Sequence, residues 1–404
     1  MEIINGGVCA AKGFTANGIH CGVRKNKTKR DIALIYSETK ASCAAVYTAN
    51  KVKGAPIDVT RANIADGYAQ AAICNSGNAN TCNADGKEVA EKMCALLGAE
   101  LGIPATDVVV ASTGVIGQPL SITPIANGMK ELVSGLSADG SERAAEGIMT
   151  TDTKKKEIAV SFEVGGKTCK IGGIAKGSGM IHPNLATMIV FITTDCAISP
   201  KMLSLALSSD VGKTFNMVSV DGDTSTNDMV TVLANGMAGN DEICDTGADF
   251  DAFARALNTV TVYLCKCIAG DGEGATKMLE CSVRGALDEK NARIIAKSVI
   301  CSSLVKAAMF GSDANWGRIL CAIGYSGAEV DVQKVDVSFI SKKGKIEVCK
   351  NGAGVEFSEE TAKEILLENE ILIDITLGDG DAESTAWGCD LTYDYVKING
   401  DYRT

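Results

Sequence analysis

The residues best placed for unusual chemistry lie between Lys176 and Asp195, in the run KGSGMIHPNLATMIVFITTD. A glycine-rich turn with one proline feeds straight into the apolar stretch 188–193, and Thr187 stands at the junction. A threonine hydroxyl is a poor nucleophile until a base takes its proton, and one solution makes threonine the first residue of a chain, so that its own amine is the base. An α-amino group titrates at about 7.7 to 8.0, which leaves a useful fraction neutral near pH 7. Creating that amine requires Thr187 to attack the carbonyl of Ala186, giving an ester that water then opens. A strained turn ahead of a rigid strand would favour the attack. Taken by itself, the triplet Ala186-Thr187-Met188 reads as ordinary entry into a strand. His182, in the same turn, offers a Ser-His-Asp alternative, but a loop histidine ahead of Pro183 also reads as a surface residue.

The elements that must position this segment show in the hydrophobic pattern. Strand-like runs occur at residues 71–74, 108–111, 158–162, 188–193, 229–233, 330–340 and 371–376. Helical spacing appears over 87–101, where Val89, Met93, Leu96 and Leu97 share a face, and over 250–267 and 289–303. This interleaving predicts an α/β or α+β protein. With 43 glycines and 6 prolines, tight turns rather than proline-rich linkers are expected to join the elements. No internal repeat or low-complexity segment breaks the chain.

Bulk properties narrow the partners. At 404 residues, with 46% hydrophobic and 22% charged residues, the chain has the balance of a globular protein of two or three lobes. A formal charge of -11 argues against nucleic acid, which calls for clustered Lys and Arg, and favours small molecules. The 16 cysteines are scattered singly and read as reduced, buried thiols. None shows zinc-site spacing, and the two histidines are His20 and His182, so no metal is expected. The first twenty residues lack the pattern of a secretory signal, and no run matches a membrane span, so a cytoplasmic protein without a membrane partner is expected.

Two motifs resemble nucleotide or cation loops and fail as such. DGDTSTND, from Asp221, has Thr226 where a calcium loop requires glycine. GDGEGATK, from Gly270, has glycine and lysine in the wrong order for a phosphate-binding loop. Both read instead as active-site or turn segments.

Ordered blocks along the whole chain carry a resemblance. They include KGFTANGIHCGV near the start, YTANKVKGAP, SGNANTCN, ASTGVIGQPL, IMTTDT, AKGSGMIHPNLATM, FNMVSVDGDTSTND, GDGEGATK, GSDANWGRIL and the closing GDGDAESTAWGCDLTYDYVKINGDYRT. With these the sequence closely resembles the ornithine acetyltransferase family, the bifunctional glutamate N-acetyltransferases of arginine biosynthesis. The resemblance implies a layered sandwich of mixed sheets and helices with a smaller C-terminal lobe. It also implies self-cleavage between Ala186 and Thr187 into an α chain, residues 1–186, and a β chain, residues 187–404, with cleaved protomers assembling as α2β2. Thr113 and Gly114 map onto the family's oxyanion hole, although Ser112-Thr113-Gly114 also reads as a plain turn after the strand 108–111. The substrate contacts map onto Thr150, Lys176, Thr187, Glu273, Asn399 and Thr404. Thr150 shares its block with two further threonines, Thr151 and Thr153, and Lys176 and Glu273 taken singly read as solvated charges. The implied reaction carries acetyl from N-acetylornithine to glutamate through Thr187, with acetyl-CoA a candidate second donor and no cofactor. The alternatives are an aminopeptidase or amidase of the same nucleophile design, and an uncleaved amino-acid-binding protein.

Overall fold

The computed structural model describes residues 1–182 and 188–400, and among these the strands form one sheet of nine and one of seven. The first sheet runs Glu2–Ile4, Lys156–Val164, Lys167–Lys176, Ile189–Thr194, Met229–Ala234, Ile32–Tyr47, Tyr68–Asn78 and Val108–Val115, with Phe14–Ile19 also paired to Ile32–Tyr47. The second runs Ala353–Gly354, Gly344–Lys350, Asp336–Ser341, Glu370–Thr376, Met278–Ala286, Ala382–Cys389 and Val218–Ser219. Both are mixed. Ile189–Thr194 is parallel to Met229–Ala234 and antiparallel to Lys167–Lys176, while Met278–Ala286 is parallel to Glu370–Thr376 and antiparallel to Ala382–Cys389. The architecture is the mixed α/β sandwich expected.

Ile189–Thr194 is buried throughout because both faces of its sheet are covered. Val190 and Ile192 enter a core shared with the helix Ala248–Gly270, and Ile189 and Phe191 enter another beneath the helix Ser141–Ile148. Ala248–Gly270 places Phe253, Leu257, Val260, Leu264 and Ile268 at helical spacing along one buried stripe. It packs on Lys156–Val164 and Lys167–Lys176 and also meets Met278–Ala286 and Ala382–Cys389. One core cluster therefore runs from Val190 through Leu264 to Cys281, and the seven-stranded C-terminal lobe shares its interior with the first sheet.

Ile189–Thr194 and Met229–Ala234 lie between Lys167–Lys176 and Ile32–Tyr47. Strands from both sides of the Ala186-Thr187 boundary are thus interleaved in one sheet.

Several expectations shift. The run 330–340 is strand from Asp336 only; Val332–Lys334 is a 3-10 turn whose first residues are capped by Asp331, which accepts the N–H of Gln333 at 3.1 Å. The helix expected at 289–303 stops at Cys301, because Ser302 leaves helical geometry (ψ 113°) and its hydroxyl accepts from Val305 N–H to start Ser303–Phe310. Most cysteines are buried or half-buried as expected, but Cys82, Cys244 and Cys321 are exposed. Among the described residues no helix is long and apolar enough to cross a membrane.

Candidate functional site

Thr113 and Gly114 sit inside a strand, not on a turn after one. Val108–Val115 continues past Ala111 and runs parallel to Tyr68–Asn78, with a register shift at Gly77 and Asn78. Gly114 has φ +133°, and a Cβ there would collide with the backbone of Gly77 and lie 2.5 Å from Asn78 N. Glycine is required on both counts, conformation and space. Asn227 fixes this strand end, donating from Nδ2 to the carbonyls of Ser112 at 2.9 Å and Ala79 at 2.5 Å.

Ala186 and Thr187 lie outside the described residues. Their described flanks are both held by one stretch, residues 220–229. Asp221 accepts the N–H groups of Met180 at 2.7 Å and Ile181 at 2.9 Å, and Thr224 donates its hydroxyl to the carbonyl of His182 at 2.7 Å. On the other side Met229 N–H donates to the Met188 carbonyl at 2.8 Å. His182 is half-buried rather than on the surface, with Nδ1 3.1 Å from Ser219 Oγ and 3.5 Å from Cys301 Sγ. Burial, aided by the charge of Lys297, lowers its imidazole to about 4, so near pH 7 it is a neutral ring.

The substrate residues inferred from the resemblance gather around the same glycine-rich turn. Lys176 ends the strand Lys167–Lys176 and is only 8% exposed; Glu273, after the helix Ala248–Gly270, is also 8% exposed. Neither is a solvated surface charge. The Glu273 carboxylate lies where a side chain on Gly179 would be, and it accepts Asn399 Nδ2 at 2.8 Å, while Glu273 N–H donates to Ser178 O at 2.9 Å. Thr150 is tied in through its N–H, which donates to Asp152 at 2.9 Å. The hydroxyl of Thr153 is engaged by Asp271, so it is the least available of the three threonines. Thr404 lies outside the described residues. The strand bearing Thr113 joins the group through its neighbour, where Ser76 Oγ donates to Gly147 O at 2.7 Å, three residues before Thr150.

A buried set of charges beneath these residues is absent from the resemblance. Lys156 Nζ lies 2.7 Å from Asp152 and 2.5 Å from Asp271. Burial alone would raise the Asp152 carboxyl, but Lys156 and Lys176, with the N–H of Gly177, hold it well below the usual carboxylate range. Burial alone would lower the Lys156 ammonium, and the two carboxylates outweigh it and raise it. The charge of Lys176 also reaches Cys74 in Tyr68–Asn78, whose thiol burial pushes up to about 12. One signal for this cluster was visible in the sequence: Asp271 follows a long helix at its negative end, where a carboxylate needs a cation partner.

A family model for ArgJ matches residues 15–404. The arginine biosynthesis bifunctional protein ArgJ of Caldanaerobacter subterraneus subsp. tengcongensis is 49% identical over 405 residues, covering 100% of both chains. That of Listeria monocytogenes serovar 1/2a is 47% identical over 408 residues, again covering 100% of both. A solved chain of arginine biosynthesis bifunctional protein argJ from Bacillus halodurans is 46% identical with a TM-score of 0.50, covering 52% of this chain and 97% of its own length. The chain belongs to the ArgJ family, acyltransferases of arginine biosynthesis.

Proposed function

We propose that this enzyme transfers acetyl from N-acetylornithine to glutamate through Thr187, freed as the amino terminus of residues 187–404 by cleavage after Ala186. The observation that carries the proposal is the pair of opposite charges, Lys176 and Glu273, buried at the two ends of one glycine-rich turn. N-acetylornithine bears one carboxylate and one side-chain ammonium, and the pair matches them, Lys176 toward the carboxylate and Glu273 toward the ammonium. Thr150, Asn399 and Thr404 add neutral hydrogen bonds.

The Thr187 amine takes the hydroxyl proton as Oγ attacks the acetyl carbon. The amide C–N bond breaks, ornithine leaves with that proton, and an acetyl-threonine ester remains. The glutamate amine then attacks the ester, restoring the hydroxyl and releasing N-acetylglutamate. Thr113 and Gly114 stabilise the oxyanion of each tetrahedral intermediate, with each donor worth about 3 to 4 kcal/mol.

Two observations support cleavage. The ArgJ chain of Bacillus halodurans spans about half of this one, although relatives of the same name run its full length. The interleaved strands would also keep the two pieces together after the cut. The relatives' description as bifunctional favours acetyl-CoA as a second donor. A cytoplasmic α2β2 assembly belongs to the same proposal.

Intact mass of the purified protein should give fragments ending at Ala186 and starting at Thr187, while Thr187→Ala stays whole and inactive. Active wild-type enzyme with Met1 as its sole amino terminus would remove the base and the mechanism.

A further inference from the structure

Three charged side chains inside a well-packed core call for an explanation. Lys156 is 1% exposed, Asp152 4% and Asp271 5%. Such buried triads give little net stability, and apolar replacements of similar volume often stabilise as well or better. Their hydrogen bonds point to another use. Asp152 accepts Thr150 N–H at 2.9 Å and Gly177 N–H at 2.7 Å, and so holds the backbone that carries Lys176. Asp271 accepts Thr153 N–H at 3.1 Å, and its own carbonyl accepts Ser178 Oγ at 2.6 Å, two residues before Glu273. The Asp152 carboxylate grips the cationic end of the turn, while Asp271 reaches the anionic end through its backbone carbonyl and ties its carboxylate to Thr153 and Lys156. Lys156 spans the two carboxylates at 2.7 and 2.5 Å.

We propose that Lys156, with Asp152 and Asp271, is a positioning residue that sets the distance between Lys176 and Glu273 and so selects ligands by the spacing of their carboxylate and ammonium. This rests on the acetyl-transfer reading above. The physical warrant is that a ligand held at two charges pays for any misfit at one of them, and a displacement of about 1 Å can cost on the order of a hundredfold. Asp152 stays ionised and Lys156 protonated despite burial, so the clamp keeps its charges across the working pH range.

The test compares wild type, Lys156→Met and Lys156→Arg as cleaved enzyme, with active sites counted by intact mass. Lys156→Met should raise KM for N-acetylornithine and the Kd for ornithine measured by calorimetry about ten- to a hundredfold, as for a weakened charged contact. Its kcat per cleaved site should stay within about threefold, because the acyl chemistry is untouched. Lys156→Arg, which keeps a cation between the carboxylates, should recover most of the loss. N-acetylnorvaline has the carboxylate but no ammonium, so its KM should barely change. The isosteric Asp152→Asn repeats the measurement should Lys156→Met fail to fold. Equal losses with N-acetylnorvaline, or unchanged KM with only a lower thermal midpoint, would overturn the clamp. Wild type that binds ornithine but transfers no acetyl would instead overturn the acetyl-transfer reading, and calorimetry would still report on the clamp.

Discussion

The two sheets treat polar residues in opposite ways. In the nine-stranded sheet, polar side chains are buried where strands end: Asn75, Ser76, Thr193 and Thr194 are fully buried, and Lys176 nearly so. On the seven-stranded sheet the carboxylates instead pair with half-exposed cations, Glu280 with Lys266 of the helix Ala248–Gly270, and Asp374 with Arg284 and Lys345. That sheet also carries an open hollow of about 570 Å³, lined by Lys266, Glu280, Lys342 and Glu368 among others. The hollow is the more obvious concavity, yet the candidate chemistry lies elsewhere. Charges already neutralised by a neighbour in open solvent have little left to offer a ligand, whereas desolvated groups held by backbone hydrogen bonds act at full strength in a low dielectric.

The strongest way to break this contrast uses two glycines of nearly equal φ, Gly114 at +133° in the first sheet and Gly344 at +131° in the second. A Cβ on Gly344 meets nothing within 4 Å among the described residues, whereas one on Gly114 meets the Gly77–Asn78 backbone. Gly344→Ala should cost backbone strain alone, about 1 to 2 kcal/mol. Gly114→Ala should cost about 1 to 3 kcal/mol more from overpacking. It should also abolish acetyl transfer, because the strand that carries the proposed oxyanion donors, Thr113 and Gly114, would shift. Denaturant unfolding and activity assays on the pair measure both effects. Equal losses would mean that the close packing at Gly114 is unimportant.

Glu273→Gln comes next. It keeps the shape and the bond from Asn399 but removes the charge, so kcat/KM for N-acetylornithine should fall by about 1.5 to 3 kcal/mol in transition-state terms. Self-cleavage should survive. The second half-reaction, measured by adding glutamate to pre-acetylated enzyme, should suffer less because ornithine has already left. Unchanged acetylornithine kinetics would return Glu273 to a structural role.

What the sequence disclosed follows from where its signals are local. The segments 87–101, 188–193 and 371–376 were legible because continuous apolar runs or helical spacing extend over most of each element. Ile32–Tyr47 was not, because Glu38, Thr39 and Lys40 are exposed in its middle and the pairing with Tyr68–Asn78 shifts register between Tyr36 and Ala41. Thr113, Gly114, Lys176, Glu273 and Asn399 entered through family resemblance; composition and spacing alone left Thr113 and Gly114 as a plain turn and Lys176 and Glu273 as solvated charges. The cluster of Asp152, Lys156 and Asp271 was missed because Asp271 lies 115 residues along the chain from Lys156, and pattern reading within a window cannot register such a contact.

His182 sharpens the comparison at the seam between the sheets, since its ring meets Ser219 of the second sheet. Its folded value of about 4 lies below the ordinary 6.5, so the unfolded chain takes up the proton first as pH falls. Its contribution to stability is therefore complete above pH 6.5 and is lost progressively toward pH 4. His182→Gln should flatten that loss. Because the ring is only half-buried, the difference between wild type and variant across this window should be on the order of 1 kcal/mol. Unfolding measured at pH 7.5 and 4.5 supplies it, and parallel pH profiles would show that the ring titrates normally.

The smallest effect is expected at Lys345, the counterpart of Lys156 in the second sheet. Both lysines contact an aspartate that is nearly inaccessible, but the Lys345 side chain is 57% exposed and Lys156 is 1% exposed. Asp374 also keeps Arg284 at 2.5 Å when Lys345 is removed, so no carboxylate is left buried without a cation. An exposed lysine gains little Coulomb energy in water and loses side-chain entropy when it is held, so Lys345→Ala should change stability by less than about 0.5 kcal/mol. KM for N-acetylornithine should not move, because the partner of Lys345 is Asp374 rather than a group around the glycine-rich turn. The distinction between the two lysines is one of solvent rather than of partner. If Lys345→Ala instead cost several kcal/mol, the outer charges of the second sheet would be structural, and burial would no longer separate the two sheets.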